Sequence, residues 1–108
     1  MAITRDFKET IKARALMDPI FRRGLLAEGM ECFLSGEIAV GKSLIRDYIK
    51  ATIGFEALAA KTSKSPKSLM RMFGAEGNPT ISNLFAVLST LQKEEKMQLH
   101  ITSRGNAS

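Results

Sequence analysis

The chain has 108 residues, 44% hydrophobic and 25% charged, a balance that fits one domain with one modest core and excludes a largely disordered chain. No apolar run approaches the ~20 residues of a membrane-spanning helix, and a single cysteine (Cys32) with a single histidine (His100) excludes a disulfide framework and any zinc site built from such ligands. The net charge of +5 and the pI near 9.7 suggest a polyanionic partner. Met1-Ala2-Ile3-Thr4-Arg5-Asp6 contains no apolar leader segment, so a cytoplasmic location is expected, with no membrane contact.

In chain order, Thr4 can cap a first helix with Phe7, Ile11 and Leu16 along one side. Asp18-Pro19 then reads as a start signal, because an aspartate accepts the first free N–H groups and a proline at the first helical position has none to lose. The helix it opens is expected to run to about Leu34, bury Phe21, Leu25, Leu26, Met30 and Phe33, and stop at Ser35-Gly36. A third helix is expected from near Glu37 to Ile53, with Leu44, Ile45, Tyr48, Ile49 and Ile53 at helical spacing, broken by Gly54. Two short helices follow, at 55–61 and 66–73, separated by Thr62-Ser63-Lys64-Ser65; Ser65-Pro66 repeats the start signal and Gly74 supplies a stop. Thr80 caps a last helix whose stripe is expected to be Ile81, Leu84, Phe85, Leu88 and Leu91. Residues 97–101 alternate weakly and are compatible with a short edge strand, and 102–108 read as a flexible tail. The expected architecture is therefore all-α, with about six helices in a single domain over 1–101.

The octet Gly36-Glu37-Ile38-Ala39-Val40-Gly41-Lys42-Ser43 fits the phosphate-cradling pattern G-x-x-x-x-G-K-[ST]. That chemistry needs a buried strand before the loop and converging backbone N–H groups, whereas a helix precedes this one and Glu37 would bring a carboxylate toward the anion. Gly36 as a helix stop and Lys42 as a solvated helical lysine explain the same letters. No other cofactor motif occurs, His100 has no nucleophile or carboxylate partner at motif spacing, and Cys32 lies on an apolar helix face; neither a cofactor nor catalysis is expected.

Residues 54–73 carry four Lys/Arg against one acid, Glu56. Two short helices in this stretch can form a helix-turn-helix, in which the second helix enters the DNA major groove. Ala59 allows close approach, Leu69 with Met72 or Phe73 anchors the second helix inside, and Ser65, Lys67, Ser68 and Arg71 are left outside as donors for phosphates and base edges. A plain helical hairpin remains the alternative, although it has no need of a basic outer face.

Several runs together resemble the addiction-module antidote proteins of bacteria, which are similar in turn to phage-repressor helix-turn-helix domains. They are Leu44-Ile45-Arg46-Asp47-Tyr48-Ile49-Lys50-Ala51-Thr52-Ile53-Gly54-Phe55-Glu56-Ala57-Leu58-Ala59, Ser65-Pro66-Lys67-Ser68-Leu69-Met70-Arg71-Met72-Phe73-Gly74, Gly77-Asn78-Pro79-Thr80 and Asn83-Leu84-Phe85. The resemblance implies an antitoxin that represses its own toxin–antitoxin operon and binds a small ribonuclease-type toxin. Two positions depart from the repressor pattern: Phe55 stands where a glutamine is often found, and Ser63 where a turn glycine is usual.

On this reading Lys61, Lys64, Lys67 and Arg71 neutralise phosphates, and Lys67, Ser68 and Arg71 read bases. Asn78, Thr80 and Asn83 meet the DNA backbone, because the resemblance puts the next loop and helix start there. A homodimer on palindromic operator DNA is expected, joined through the last helix with 97–101 or through the N-terminal helices. The alternatives are an orphan regulator with no toxin, and a protein-interaction module that uses the basic face.

Overall fold

The computed structural model describes residues 13–14 and 17–105 of the chain; Thr4, Phe7, Ile11 and Leu16 of the expected first helix lie outside them, as do 106–108. Five complete helices stand among the described residues: α1 (Pro19–Leu34), α2 (Ile38–Ala51), α3 (Phe55–Thr62), α4 (Pro66–Met72) and α5 (Ile81–Glu95). The described part is all-helical.

Local chemistry sets most of the boundaries. Asp18 accepts from the Ile20 and Phe21 amides at 3.0 and 3.1 Å ahead of Pro19, and α1 starts there. It ends in a Schellman turn, where Gly36 takes φ +83° and the Glu37 amide reaches back 2.8 Å to the Cys32 carbonyl. Two further helices stop in the same left-handed way on residues other than glycine. Ser63 (φ 55°) follows α3, with the Lys64 amide on the Ala59 carbonyl at 3.2 Å; Lys96 (φ 55°) follows α5, with the Met97 amide on the Gln92 carbonyl at 3.0 Å. Ser63 thus adopts the backbone shape for which a turn glycine would be usual.

The helices α1 and α2 fold back on each other and cross where two glycines meet. A Cβ on Gly41 would lie 2.6 Å from the Phe33 ring and 3.0 Å from the Gly29 carbonyl, so the close approach needs both small residues. The core draws Leu26 from α1, Ile45, Tyr48 and Ile49 from α2, Phe55, Leu58 and Ala59 from α3, Leu69 and Met72 from α4, then Phe73 and the α5 residues Val87, Leu88 and Leu91. The helix α3 packs on both α4 and α5 and so stands between the shortest helix and the C-terminal one.

Four expectations need correction. The last helix is rotated from the expected stripe: Val87 is buried, whereas Ile81 and Phe85 are 74% and 51% exposed. The reason is that Val87, Leu88, Leu91 and Glu95 make the better inward face, with Leu84 at its edge. Residues 97–101 form no strand, because no neighbouring strand exists among the described residues to pair with; instead the Leu99 amide donates to Gln92 Oε1 at 2.8 Å and folds the segment back on α5. Phe21, Leu25, Met30 and Phe33 are only partly buried, and Leu26, Gly29 and Cys32 form the fully buried line of α1. Lys42 is not solvated, as described below.

A buried ionic knot closes the fold at the end of α5. Glu95 accepts from Arg22 Nε at 2.8 and 2.9 Å and from the Tyr48 hydroxyl at 2.5 Å, and Arg23 adds a bond to the Glu95 backbone carbonyl at 3.3 Å. Burial opposes ionisation of this carboxyl, but the hydrogen bonds from Arg22 and Tyr48 and the charge of Arg22 together outweigh it and hold Glu95 below the usual carboxylate range. For Tyr48, burial and the bond to Glu95 push the phenol well above its ordinary value. Burial and the carboxylates of Glu37, Glu28 and Glu31 likewise push the Cys32 thiol up, away from the thiolate form a nucleophile needs.

Candidate nucleic-acid interface

The helix α4 has only seven residues and could not stand alone in water. It is held at its start by Ser65, whose hydroxyl accepts from the Ser68 amide at 3.0 Å, and by Pro66 at the first helical position. Leu69 and Met72 are buried along one side and Phe73 is buried just past the end. The other side carries Lys67, Ser68 and Arg71, all exposed, with Met70 half-exposed between them. Lys67 and Arg71 are four residues apart and so project from one side, and among the described residues neither charge has a partner.

The sequence-predicted site residues separate into four situations. Lys67, Ser68, Arg71 and Asn78 are exposed and their side chains engage no other described group. Ser65 and Thr80 serve as helix caps, Thr80 Oγ1 accepting from the Asn83 amide at 3.2 Å. Lys64 Nζ donates to Asn83 Oδ1 at 2.9 Å, which ties the turn before α4 to the first turn of α5. Lys61 faces elsewhere: its ammonium lies 2.9 Å from Glu94 Oε1, near the far end of α5, so its charge is already balanced. An open groove of about 290 Å³ runs beside α4 and is lined by Ser68, Arg71, Asn78, Thr80 and Asn83, with Glu76 as a single acid among them.

The residues that hold this groove in shape were missed from the sequence. Lys42, on α2, is 7% exposed, and its ammonium donates to the carbonyls of Gly74 and Gly77 at 3.0 and 2.7 Å. One turn further along α2, Arg46 Nη1 lies 3.4 Å from the Phe73 carbonyl. At Gly77 a Cβ would sit 1.9 Å from the Arg71 carbonyl oxygen, so the loop rests directly on the end of α4. The signal was present: Lys42, Ile45 and Ile49 recur at i, i+3 and i+7, which puts the lysine on the buried side of its helix.

The same geometry accounts for the phosphate-loop lookalike. Gly36 makes the turn, Gly41 the helix crossing and Lys42 the loop contact, while the Gly41 amide donates within the chain to the Glu37 carbonyl at 3.0 Å. A helix therefore occupies the place where a nucleotide would need converging free amides. Calorimetric titration with magnesium-ATP is expected to give no binding heat and no rise in melting temperature. Magnesium-dependent binding lost in Lys42→Ala would reverse this reading.

No family model, no curated protein and no solved structure matches the chain, so the resemblance to antidote proteins rests on the residues quoted for it. Among the described residues no helix is long and apolar enough to cross a membrane.

Proposed function

We propose that this chain is a sequence-reading DNA-binding regulator of the helix-turn-helix type, with α3 as the supporting helix and α4 as the reading helix. The observation that carries the reading is the division of α4 into a buried side, Leu69 and Met72, and an exposed side on which Lys67 and Arg71 are charged and, among the described residues, unpaired. Two such cations beside a polar groove suit phosphates and guanine edges, which call for donors of this kind. Lys67, Ser68 and Arg71 are the readers; Asn78 and the start of α5, with Thr80 and Asn83, lie against the DNA backbone. Lys64 holds Asn83 and adds charge, and Lys61 contributes little because Glu94 neutralises it.

One module of this size reads only a few base pairs, so the protein acts as a homodimer on a palindromic operator. In the fuller form of the reading it is an antitoxin: it represses its own toxin–antitoxin operon in the cytoplasm and binds a small ribonuclease-type toxin. It performs no catalysis and needs no cofactor.

The test is fluorescence anisotropy with a duplex selected by the protein from a randomised pool, alongside a shuffled duplex. Affinity is expected to fall steeply with salt, each neutralised phosphate adding about −0.9 to the log–log slope. Arg71→Ala is expected to cost about 1–3 kcal/mol on the selected duplex and to erase preference at one base pair. A slope near zero, or an unchanged preference in Arg71→Ala, would overturn the reading. For the antitoxin form, co-expression with the product of the neighbouring gene is expected to yield a stable complex, and no complex would leave an orphan regulator.

A further inference from the structure

We infer that Lys42, which belongs to α2 and lies outside the reading surface, is a positioning residue for DNA recognition. It clamps the C-terminal end of α4 and the loop that follows, and so sets where Arg71 and Asn78 stand. The inference rests on the DNA-binding reading above.

The two carbonyls it grips are the ends of one tight turn. Gly77 donates its amide to the Gly74 carbonyl at 3.1 Å, and the Lys42 ammonium bonds both the Gly74 and the Gly77 oxygens. The turn is therefore closed twice, once by its own backbone and once from across the molecule. Its position also determines the position of α4, since the Gly77 backbone lies against the carbonyls of Arg71 and Met72. Arg71 stands in the last turn of α4, the turn that frays first in so short a helix.

The electrostatics point the same way. The end of a helix presents free carbonyls and partial negative charge, and two cations of α2 meet the main chain there and just beyond, Arg46 on the capping residue Phe73 and Lys42 on Gly74 and Gly77 of the loop. A buried ammonium is tolerated only where its protons are satisfied. Among the described residues, no carboxylate forms an ion pair with Lys42, and both of its bonds go to main-chain oxygens. Its contribution is thus geometric. Methionine at this position would fill much the same volume and leave both carbonyls without the donor.

The experiment compares the wild type with Lys42→Met and Lys42→Arg. It reads amide hydrogen exchange by NMR and anisotropy with a duplex selected by the wild type from a randomised pool, against its shuffled counterpart. In Lys42→Met, exchange at the Gly77 amide is expected to quicken at least about tenfold while the amides inside α1 and α2 keep their protection. Preference for the selected over the shuffled duplex is expected to shrink by about tenfold or more, with affinity for the shuffled duplex unchanged because Lys67 and Arg71 keep their charges. Lys42→Arg, which keeps donors at this position, is expected to recover most of both.

Unchanged exchange at Gly77 in Lys42→Met would overturn the clamp. Faster exchange with an intact preference would overturn its link to recognition. Loss of protection throughout α1 and α2 would also overturn the proposal, by making Lys42 a support of the whole fold. A wild type that prefers no duplex defeats the DNA-binding reading and the recognition role together, and the Gly77 exchange still decides separately whether Lys42 holds the loop.

Discussion

Replacing Glu95 by alanine is expected to destabilise the protein by about 2–4 kcal/mol, because it removes the acceptor of the buried Tyr48 hydroxyl and breaks the paired bonds from Arg22 Nε. In a domain of this size that corresponds to a fall in melting temperature of about 10–20 °C. The pH dependence follows from the direction of the shift. Glu95 is held below its ordinary value in the folded state, so its stabilising contribution is fully present above the unfolded value of about 4.3 and is lost as pH falls through the folded value. The gap in stability between wild type and Glu95→Gln is therefore expected to be constant near neutrality and to narrow below about pH 4. Urea melts at several pH values measure it. A Glu95→Ala variant within about 0.5 kcal/mol of wild type would show that the knot adds nothing net.

Leu69→Ala is expected to cost about 2–5 kcal/mol, since Leu69 is fully buried and its truncation leaves a cavity between α4 and the core that a two-turn helix cannot close. The companion change Arg71→Ala removes an exposed side chain with no partner among the described residues and is expected to alter stability by less than about 0.5 kcal/mol. Thermal melts and DNA binding on both variants then separate support from readout: Leu69→Ala loses stability and binding together, and Arg71→Ala loses binding alone. An unchanged melt for Leu69→Ala would mean that α4 presents a different side to the core.

What the sequence made legible was mainly the local chemistry of helix starts. Asp18-Pro19, Ser65-Pro66 and Thr80 each act within three residues of themselves, and each caps the helix expected of it. Helix ends were harder to read, because two of the left-handed stops fall on Ser63 and Lys96, residues whose side chains do not announce that conformation. The inward side of α5 was misjudged because Ile81 and Phe85 match a helical period as well as Val87 does, and only the position of α3 and the core decides between them. Lys42 and Glu95 were passed over for a related reason. Charged residues read as solvated by default, and what buries these two lies 32 to 73 positions away in the chain. For the candidate site, the exposed row of Lys67, Ser68 and Arg71 followed from pattern alone, whereas the pairing of Lys61 with Glu94 and of Lys64 with Asn83 required the packing of α5.

The distance along the chain between Arg22 and Glu95 also bears on the order in which the molecule is assembled. The helical hairpin of α1 and α2 is made of neighbouring segments and can form early, but the acceptor for its arginines is the last residue of α5, 73 positions downstream. During synthesis the hairpin therefore emerges with the Tyr48 hydroxyl lacking Glu95, and that contact closes only after α5 has left the ribosome. A chain that stops short of residue 95 lacks this acceptor, so premature termination is expected to yield a species whose α1–α2 hairpin is closed less tightly than in the full chain.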